Sequence, residues 1–184
     1  MSREIYFIFM PITFAQRGLI HAWTNQGYVQ EWLHGEGLQW TLNDLDQFSQ
    51  GSSFFQHWIA FDKEIPFAYL LTASAEYDSD DPFCRWCTQG AKTISLDVII
   101  GNPSYLGKKI SHKLIQQFLL SKFSDVDEVL IDPDVQNIRA IRAYQKAGFQ
   151  PLGDFIPKNN PTPHLMMRLK MGLLKSRGFA SDFL

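Results

Sequence analysis

The hydrophobic positions of the chain switch between a two-residue and a three-to-four-residue period. Ile5 to Ile12 alternates and predicts a strand, whereas Leu19, Ile20 and Trp23 within Ala15 to Thr24 carry helical spacing. A second helix is expected to start at Thr41 or Asn43. Phe54 to Phe61 and Phe67 to Ala75 are apolar, aromatic runs separated by Asp62-Lys63-Glu64-Ile65-Pro66, a turn signal that predicts an antiparallel pair. Thr93 to Ile100 reads as a further strand, broken by Gly101-Asn102-Pro103. A helix follows from about Lys109 to Lys122, with Ile110, Leu114, Ile115, Phe118 and Leu119 inward. Glu128 to Asp132 is a short buried strand, a helix lies within Asp132 to Phe149, and Phe149 to Ile156 and His164 to Lys170 close a sheet. The expectation is one α/β (α+β) domain over residues 1–170, followed by a loosely held tail over 171–184.

The helix within Asp132 to Phe149 has a face of its own. Asn137, Ala140, Ile141 and Tyr144 recur at helical spacing, and Gly148 supplies a left-handed stop. Asn137 and Tyr144 are two turns apart, roughly 10 Å along the axis, with the small Ala140 between them leaving room for a thin ligand arm. Spacing alone favours an ordinary capped amphipathic helix packed on a sheet, with Asn137 near the cap and Tyr144 half buried by its ring. A second polar residue stands out in the strand Ile94-Ser95-Leu96-Asp97-Val98-Ile99-Ile100. A carboxylate in so apolar a run needs a partner or a functional reason, and alternation puts it on the opposite face from Leu96 and Val98. Asp97 is therefore the leading general-base candidate.

A formal net charge of -2 with scattered basic residues gives no footprint for nucleic acid. The apolar start, Ile5 to Met10, is too short for a membrane span or a signal peptide, so a cytoplasmic protein without a membrane partner is expected. Cys84 and Cys87 form a single Cys-x-x-Cys with no second pair to complete a zinc site, and neighbouring acids raise thiol pKa, so reduced structural cysteines are expected. His21, His34, His57, His112 and His164 show no ligand spacing, and no metal is assigned. Glu76, Asp78, Asp80 and Asp81 place four carboxylates within six residues, where a polycationic amine would be attracted. The same run suits a solvated loop.

The stretch Asn137-x-x-Ala140-x-x-x-Tyr144-x-x-x-Gly148-Phe149 resembles the fourth block of the GCN5-related N-acetyltransferases (GNAT). With Leu96-Asp97 and Leu106-Gly107-Lys108 it is most similar to the aminoglycoside 6'-N-acetyltransferases within them. The resemblance implies a GNAT fold, a central mixed, mostly antiparallel twisted sheet flanked by helices, and acetyl-CoA as cosubstrate with no metal. It further implies that Asp97 contacts the amine and removes its proton, and that Tyr144 protonates the departing CoA sulfur. Val98 and Ile99 would hold the pantetheine arm and the acetyl carbonyl, and Asn137 and Ala140 would line the cofactor. The pyrophosphate would lie on Leu106, Gly107, Lys108, Lys109, Ile110 and Ser111. There the family pattern Gln/Arg-x-x-Gly-x-Gly/Ala is altered at both glycines, to Lys109 and Ser111.

Trp32, Glu76, Asp78, Asp80, Asp97 and Asp132 are the implied contacts of the amine substrate, with Trp32 and Trp40 flanking the region that covers substrates in this superfamily. The expected function is acetyl-CoA-dependent acetylation of an aminoglycoside 6'-amino group by a monomer or homodimer. Two alternatives stand beside it. One is a siderophore-biosynthesis N-acyltransferase acting on hydroxylysine, which would not need the clustered carboxylates. The other is a non-catalytic acyl-CoA-binding module, motivated by the altered glycines.

Overall fold

The computed structural model describes residues 5–48, 53–158 and 160–176. Its strands are β1 (Phe7–Pro11), β2 (Gln56–Asp62), β3 (Ile65–Ala75), β4 (Thr93–Ile100), β5 (Glu128–Ile131), β6 (Gln150–Phe155) and β7 (His164–Lys170). They form a seven-stranded sheet in the order β1-β2-β3-β4-β5-β7-β6. β4 and β5 run parallel, while β1/β2, β2/β3, β5/β7 and β6/β7 are antiparallel, which is the mixed sheet expected. The helices are α1 (Arg17–Thr24), α2 (Gly27–Gln30), α3 (Gly35–Phe48), α4 (Ser111–Lys122), α5 (Ile138–Ala147) and α6 (Met171–Leu174). The parallel β4/β5 pair needs a long crossover, and α4 supplies it.

The chain divides into two compact units, Met1–Thr72 with Asp97–Lys108, and Ala73–Leu96 with Lys109–Leu184. In the first, the core gathers Ile12, Ile20, Trp23, Leu45, Ile59, Tyr69 and Leu71, joined by Leu19, Leu42, Phe55, Phe61 and Ile99. The β2/β3 hairpin turns on Lys63 and Glu64 alone, with Lys63 at φ 56°; Ile65 and Pro66, expected in the turn, belong to β3. A helix beginning at Thr41 or Asn43 is corrected to one beginning at Gly35. Gly35 and Gly37 read as breakers because glycine is the poorest helix former after proline, yet both lie in the first turn of α3.

In the second unit, Leu114, Ile115, Phe118 and Leu119 are fully buried along α4, the inward set expected from their spacing. Another cluster joins Ala75, Cys87, Leu130, Phe155 and Met166, with Phe83 and Trp86 packed on it. Glu128, buried at the start of β5, accepts from the Thr88 N–H at 2.7 Å, the Thr88 hydroxyl at 2.8 Å and the Thr93 hydroxyl at 2.9 Å, with Arg168 Nε 3.1 Å away. A buried carboxylate so supplied with donors fixes the end of the loop that precedes β4. The tail is not loose at its start. Met171 and Leu174 are buried in α6, so an apolar turn anchors it; residues 177–184 lie outside those described.

Candidate active site

Asp97 begins the second half of β4 and is exposed, whereas Leu96 is buried. Alternation puts Asp97 and Ile99 on one face of the strand, and Ile99 packs against the core cluster that holds Tyr69. The same neighbourhood registers electrostatically: burial first, then the charges of Asp97 and Asp44, push the Tyr69 phenol well above its ordinary pKa. The end of β4 is anchored from several sides. The carbonyl of Gly101 accepts from Gln26 Nε2 and from the Tyr28 hydroxyl, both at 2.8 Å, and the Tyr28 hydroxyl also reaches the Ile100 carbonyl at 3.0 Å. Gly101 must be glycine, because a Cβ there would lie 1.9 Å from Cδ2 of Trp23. These contacts hold Asp97, Val98 and Ile99 on a rigid strand end.

Beneath that face runs a buried polar chain that sequence reasoning missed. His57 Nε2 meets Asp44 Oδ2 at 2.7 Å, and its Nδ1 meets the Tyr69 hydroxyl at 2.7 Å. Burial lowers the His57 pKa against the pull of Asp44, so the ring is neutral, donates from Nε2 to Asp44 and accepts the Tyr69 proton at Nδ1. Asp44 also accepts from the Phe54 and Phe55 N–H groups and the Ser53 hydroxyl, which ties α3 to the start of β2. The spacing of these residues carries no short-range signal, since Asp44, His57 and Tyr69 sit on three different elements.

The turn before α4 accounts for one of the two altered glycines, the one at Lys109. Gly107 has φ 74° and Lys109 φ 57°, so the position where the family pattern has glycine does require a left-handed residue, and Lys109 adopts that conformation. The turn's shape is therefore kept without the glycine, at a cost of about 1 kcal/mol. Ile110, at the N-cap of α4, supplies no side-chain cap, and the first turn carries no acidic residue. The N–H groups of that turn are suited to an anion. Lys108 stacks its ammonium 4.4 Å above the Tyr105 ring, and Tyr105 in turn donates to Asp62 at 3.0 Å, so Leu106 to Lys108 are held by side chains as well as backbone. Uncapped donors and two lysines fit the pyrophosphate of acetyl-CoA.

In the second unit α5 presents the expected face. Asn137, Ala140, Ile141 and Tyr144 are half-buried, while Ile138, Arg139, Arg142, Gln145 and Lys146 are exposed. Asn137 is the N-cap, its Oδ1 accepting the Ala140 N–H at 3.1 Å, and Gly148 ends the helix at φ 114°. Capping occupies one end of the Asn137 amide; among the described residues Nδ2 has no protein partner. Tyr144 packs its ring against Phe149, centroids 6.1 Å apart.

Of the acidic loop, Glu76, Asp78 and Asp80 are exposed, but Asp81 is engaged. It accepts from the Phe83 and Cys84 N–H groups and from Lys158 Nζ at 2.9 Å. Burial opposes its charge, yet the Cys84 N–H, the Lys158 ammonium and the Phe83 N–H outweigh it and hold the Asp81 pKa at about 2. Those same bonds shape a short 3₁₀ turn, Cys84–Trp86. Both cysteines are free thiols; burial, then the neighbouring thiol and Glu128, push Cys87 to about 12, and burial with Asp81 raises Cys84. Trp32 is half-buried in the turn after α2, and Trp40 is 60% exposed on α3 rather than in the core. Asp132, at the end of β5, meets His164 Nδ1 at 3.0 Å. Burial raises the Asp132 pKa in spite of that partner; His164 is raised because the Asp132 contact overcomes its own burial. No group of three potential metal ligands occurs among the described residues.

A family model described as an acetyltransferase (GNAT) domain matches residues 15–156. The chain is 29% identical to the aminoglycoside N(6')-acetyltransferase type 1 of Serratia marcescens over 168 residues, covering 88% of this chain and 82% of that one. Among solved structures, it superposes on an aminoglycoside N(6')acetyltransferase from Legionella pneumophila with a TM-score of 0.85 and 39% identity, covering 96% of this chain and 98% of the other. An aminoglycoside acetyltransferase solved with ribostamycin and coenzyme A gives a TM-score of 0.77 at 25% identity, covering 96% and 99%. With a family model matched over residues 15–156, this chain belongs to the GNAT acetyltransferase family.

Proposed function

We propose that this protein is an acetyl-CoA-dependent N-acetyltransferase that acetylates the 6'-amino group of aminoglycosides. The observation that carries this reading is the full-length likeness to the Legionella enzyme, which spans the substrate-covering N-terminal half as well as the shared family block. When bound, acetyl-CoA supplies an activated acyl group whose C–S bond is exchanged for the C–N bond of the product amide. Leu106 to Ser111 would receive its pyrophosphate, and Val98, Ile99, Asn137 and Ala140 would line its arm. Asp97 accepts the proton that an ammonium must lose before its nitrogen can attack. A backbone N–H near Val98 or Ile99 polarises the acyl carbonyl, the general means by which transferases stabilise developing negative charge. Tyr144 would then donate its phenolic proton to the departing sulfur, and the second proton that the nitrogen sheds as the amide forms would return the tyrosinate to the phenol. Reference pKa values of about 10 for a phenol and 8.5 for a thiol make that transfer nearly balanced. Trp32, Glu76, Asp78, Asp80 and Asp132 contact the amino sugar.

Against the non-catalytic acyl-CoA-binding reading, motivated by the changes at Lys109 and Ser111, stands the left-handed backbone of Lys109, the conformation a glycine would supply there. The test is CoA release with kanamycin-type sugars, hydroxylysine and peptide amines, in wild type and Tyr144→Phe. Turnover on the sugars alone is expected, with kcat lowered at least tenfold, or about 1.4 kcal/mol in barrier, in Tyr144→Phe. Turnover on hydroxylysine instead, or an unimpaired Tyr144→Phe, would remove the corresponding assignment.

A further inference from the structure

The chain from Asp132 to Val135 lies against Pro163 to Leu165 through backbone bonds. Leu165 N–H donates to the Pro133 carbonyl at 2.9 Å, and Val135 N–H to the Pro163 carbonyl at 3.1 Å. Between these two bonds stands His164, bridged to Asp134, with its ring packed edge-on against Phe155 at 6.3 Å. Both faces of its position are thus fixed before its nitrogens are considered. Nδ1 faces Asp132 Oδ2 at 3.0 Å, and Nε2 faces Asn160 Nδ2 at 3.0 Å.

The orientation of the Asn160 amide is not free. Its Oδ1 accepts from the Thr162 N–H at 3.0 Å and the Thr162 hydroxyl at 2.8 Å, so Nδ2 must be the end that faces the ring. An amide nitrogen only donates, so the neutral ring accepts at Nε2 and carries its proton on Nδ1. That proton points at Asp132.

We propose that His164 is a positioning residue for Asp132: Thr162 sets Asn160, Asn160 sets the tautomer of His164, and the Nδ1–H of His164 fixes the carboxylate that receives an amino group of the sugar. This rests on the reading of Asp132 as a substrate contact. His164 itself touches neither substrate nor cosubstrate in this scheme. Its loss therefore loosens one partner of the amino sugar while the acetyl-transfer groups Asp97 and Tyr144 stay as they are.

The test combines spectroscopy with kinetics on kanamycin. In wild-type protein labelled with ¹⁵N-histidine, at pH 8, His164 should show a protonated Nδ1 and a bare Nε2. His164→Ala should raise the kanamycin KM about tenfold, the worth of one hydrogen bond to a charged group, with kcat and the acetyl-CoA KM within about threefold of wild type. His164→Asn, whose amide N–H sits where Nδ1–H was, should restore the kanamycin KM. Should His164→Ala fold poorly, the wild-type tautomer and the His164→Asn kinetics still decide. An Nε2–H tautomer, an unchanged kanamycin KM in His164→Ala, or equal losses for kanamycin and acetyl-CoA would each overturn the proposal. Asp132→Asn separates the two layers. If it leaves the kanamycin KM unchanged, the substrate role of Asp132 fails and the proposal with it. If it raises KM while His164→Ala does not, only the positioning role fails.

Discussion

Single carboxylates in this protein have different work according to how many donors surround them. Asp97 stands exposed on a strand end, Glu128 is buried under two threonines and an arginine, and Asp81 organises a turn. Asp81 gives a prediction with a definite sign. Its folded pKa of about 2 lies below the ordinary 3.8, so its contribution to stability is complete above about pH 4 and is lost as pH falls through about 2. Urea unfolding of wild type and Asp81→Asn should therefore differ by a constant amount, on the order of 2 kcal/mol, above pH 4, and converge between about pH 4 and 2. A gap that widens on acidification would contradict the bonding described. At this scale the sequence was legible wherever a residue's role depended on near neighbours. Asn137, Tyr144 and Gly148 fall on one short helix, and their spacing alone placed them. His57 did not announce itself because both its partners lie 12 or more residues away, nor did His164, whose carboxylate partner Asp132 lies 32 residues away although Asn160 is only four away.

Among the elements, the turn into α4 carries the main departure from the family pattern. Lys109 holds a backbone conformation that costs any residue with a Cβ about 1 kcal/mol. Lys109→Gly should raise stability by about 0.5 to 1 kcal/mol in urea titrations, and Gly107→Ala, at φ 74°, should lower it by at least as much. A less stable Lys109→Gly would mean that the lysine side chain contributes more to the fold than its backbone strain removes. The element boundaries were read well where hydrophobic period and punctuation agree, as for β4, whose limits Thr93 and Ile100 were both expected. They were read poorly where glycine begins a helix, as in α3. Propensity argues against such a start, and tertiary contacts override it.

For the molecule as a whole, net charge says little and its distribution says more. With a formal charge of -2 the protein exerts no strong overall field, yet Glu76, Asp78 and Asp80 are clustered and exposed. If they recruit a polycationic sugar, the KM for kanamycin should rise severalfold between about 0.05 and 0.5 M salt, as the screening length falls below about 10 Å. A salt-independent KM would release these residues from a substrate role. The anchoring of this loop bears on how such an enzyme diversifies. Asp81 with Lys158 near its start, and Glu128 with Thr88 at its end, hold the segment in shape. The exposed carboxylates between β3 and that first anchor contribute nothing comparable to the fold, so selection can rewrite them one at a time. If these carboxylates meet the sugar, a new antibiotic would be met by changing the charge pattern of the loop while thermal stability stays put, which would make this segment the place for substrate spectra to drift.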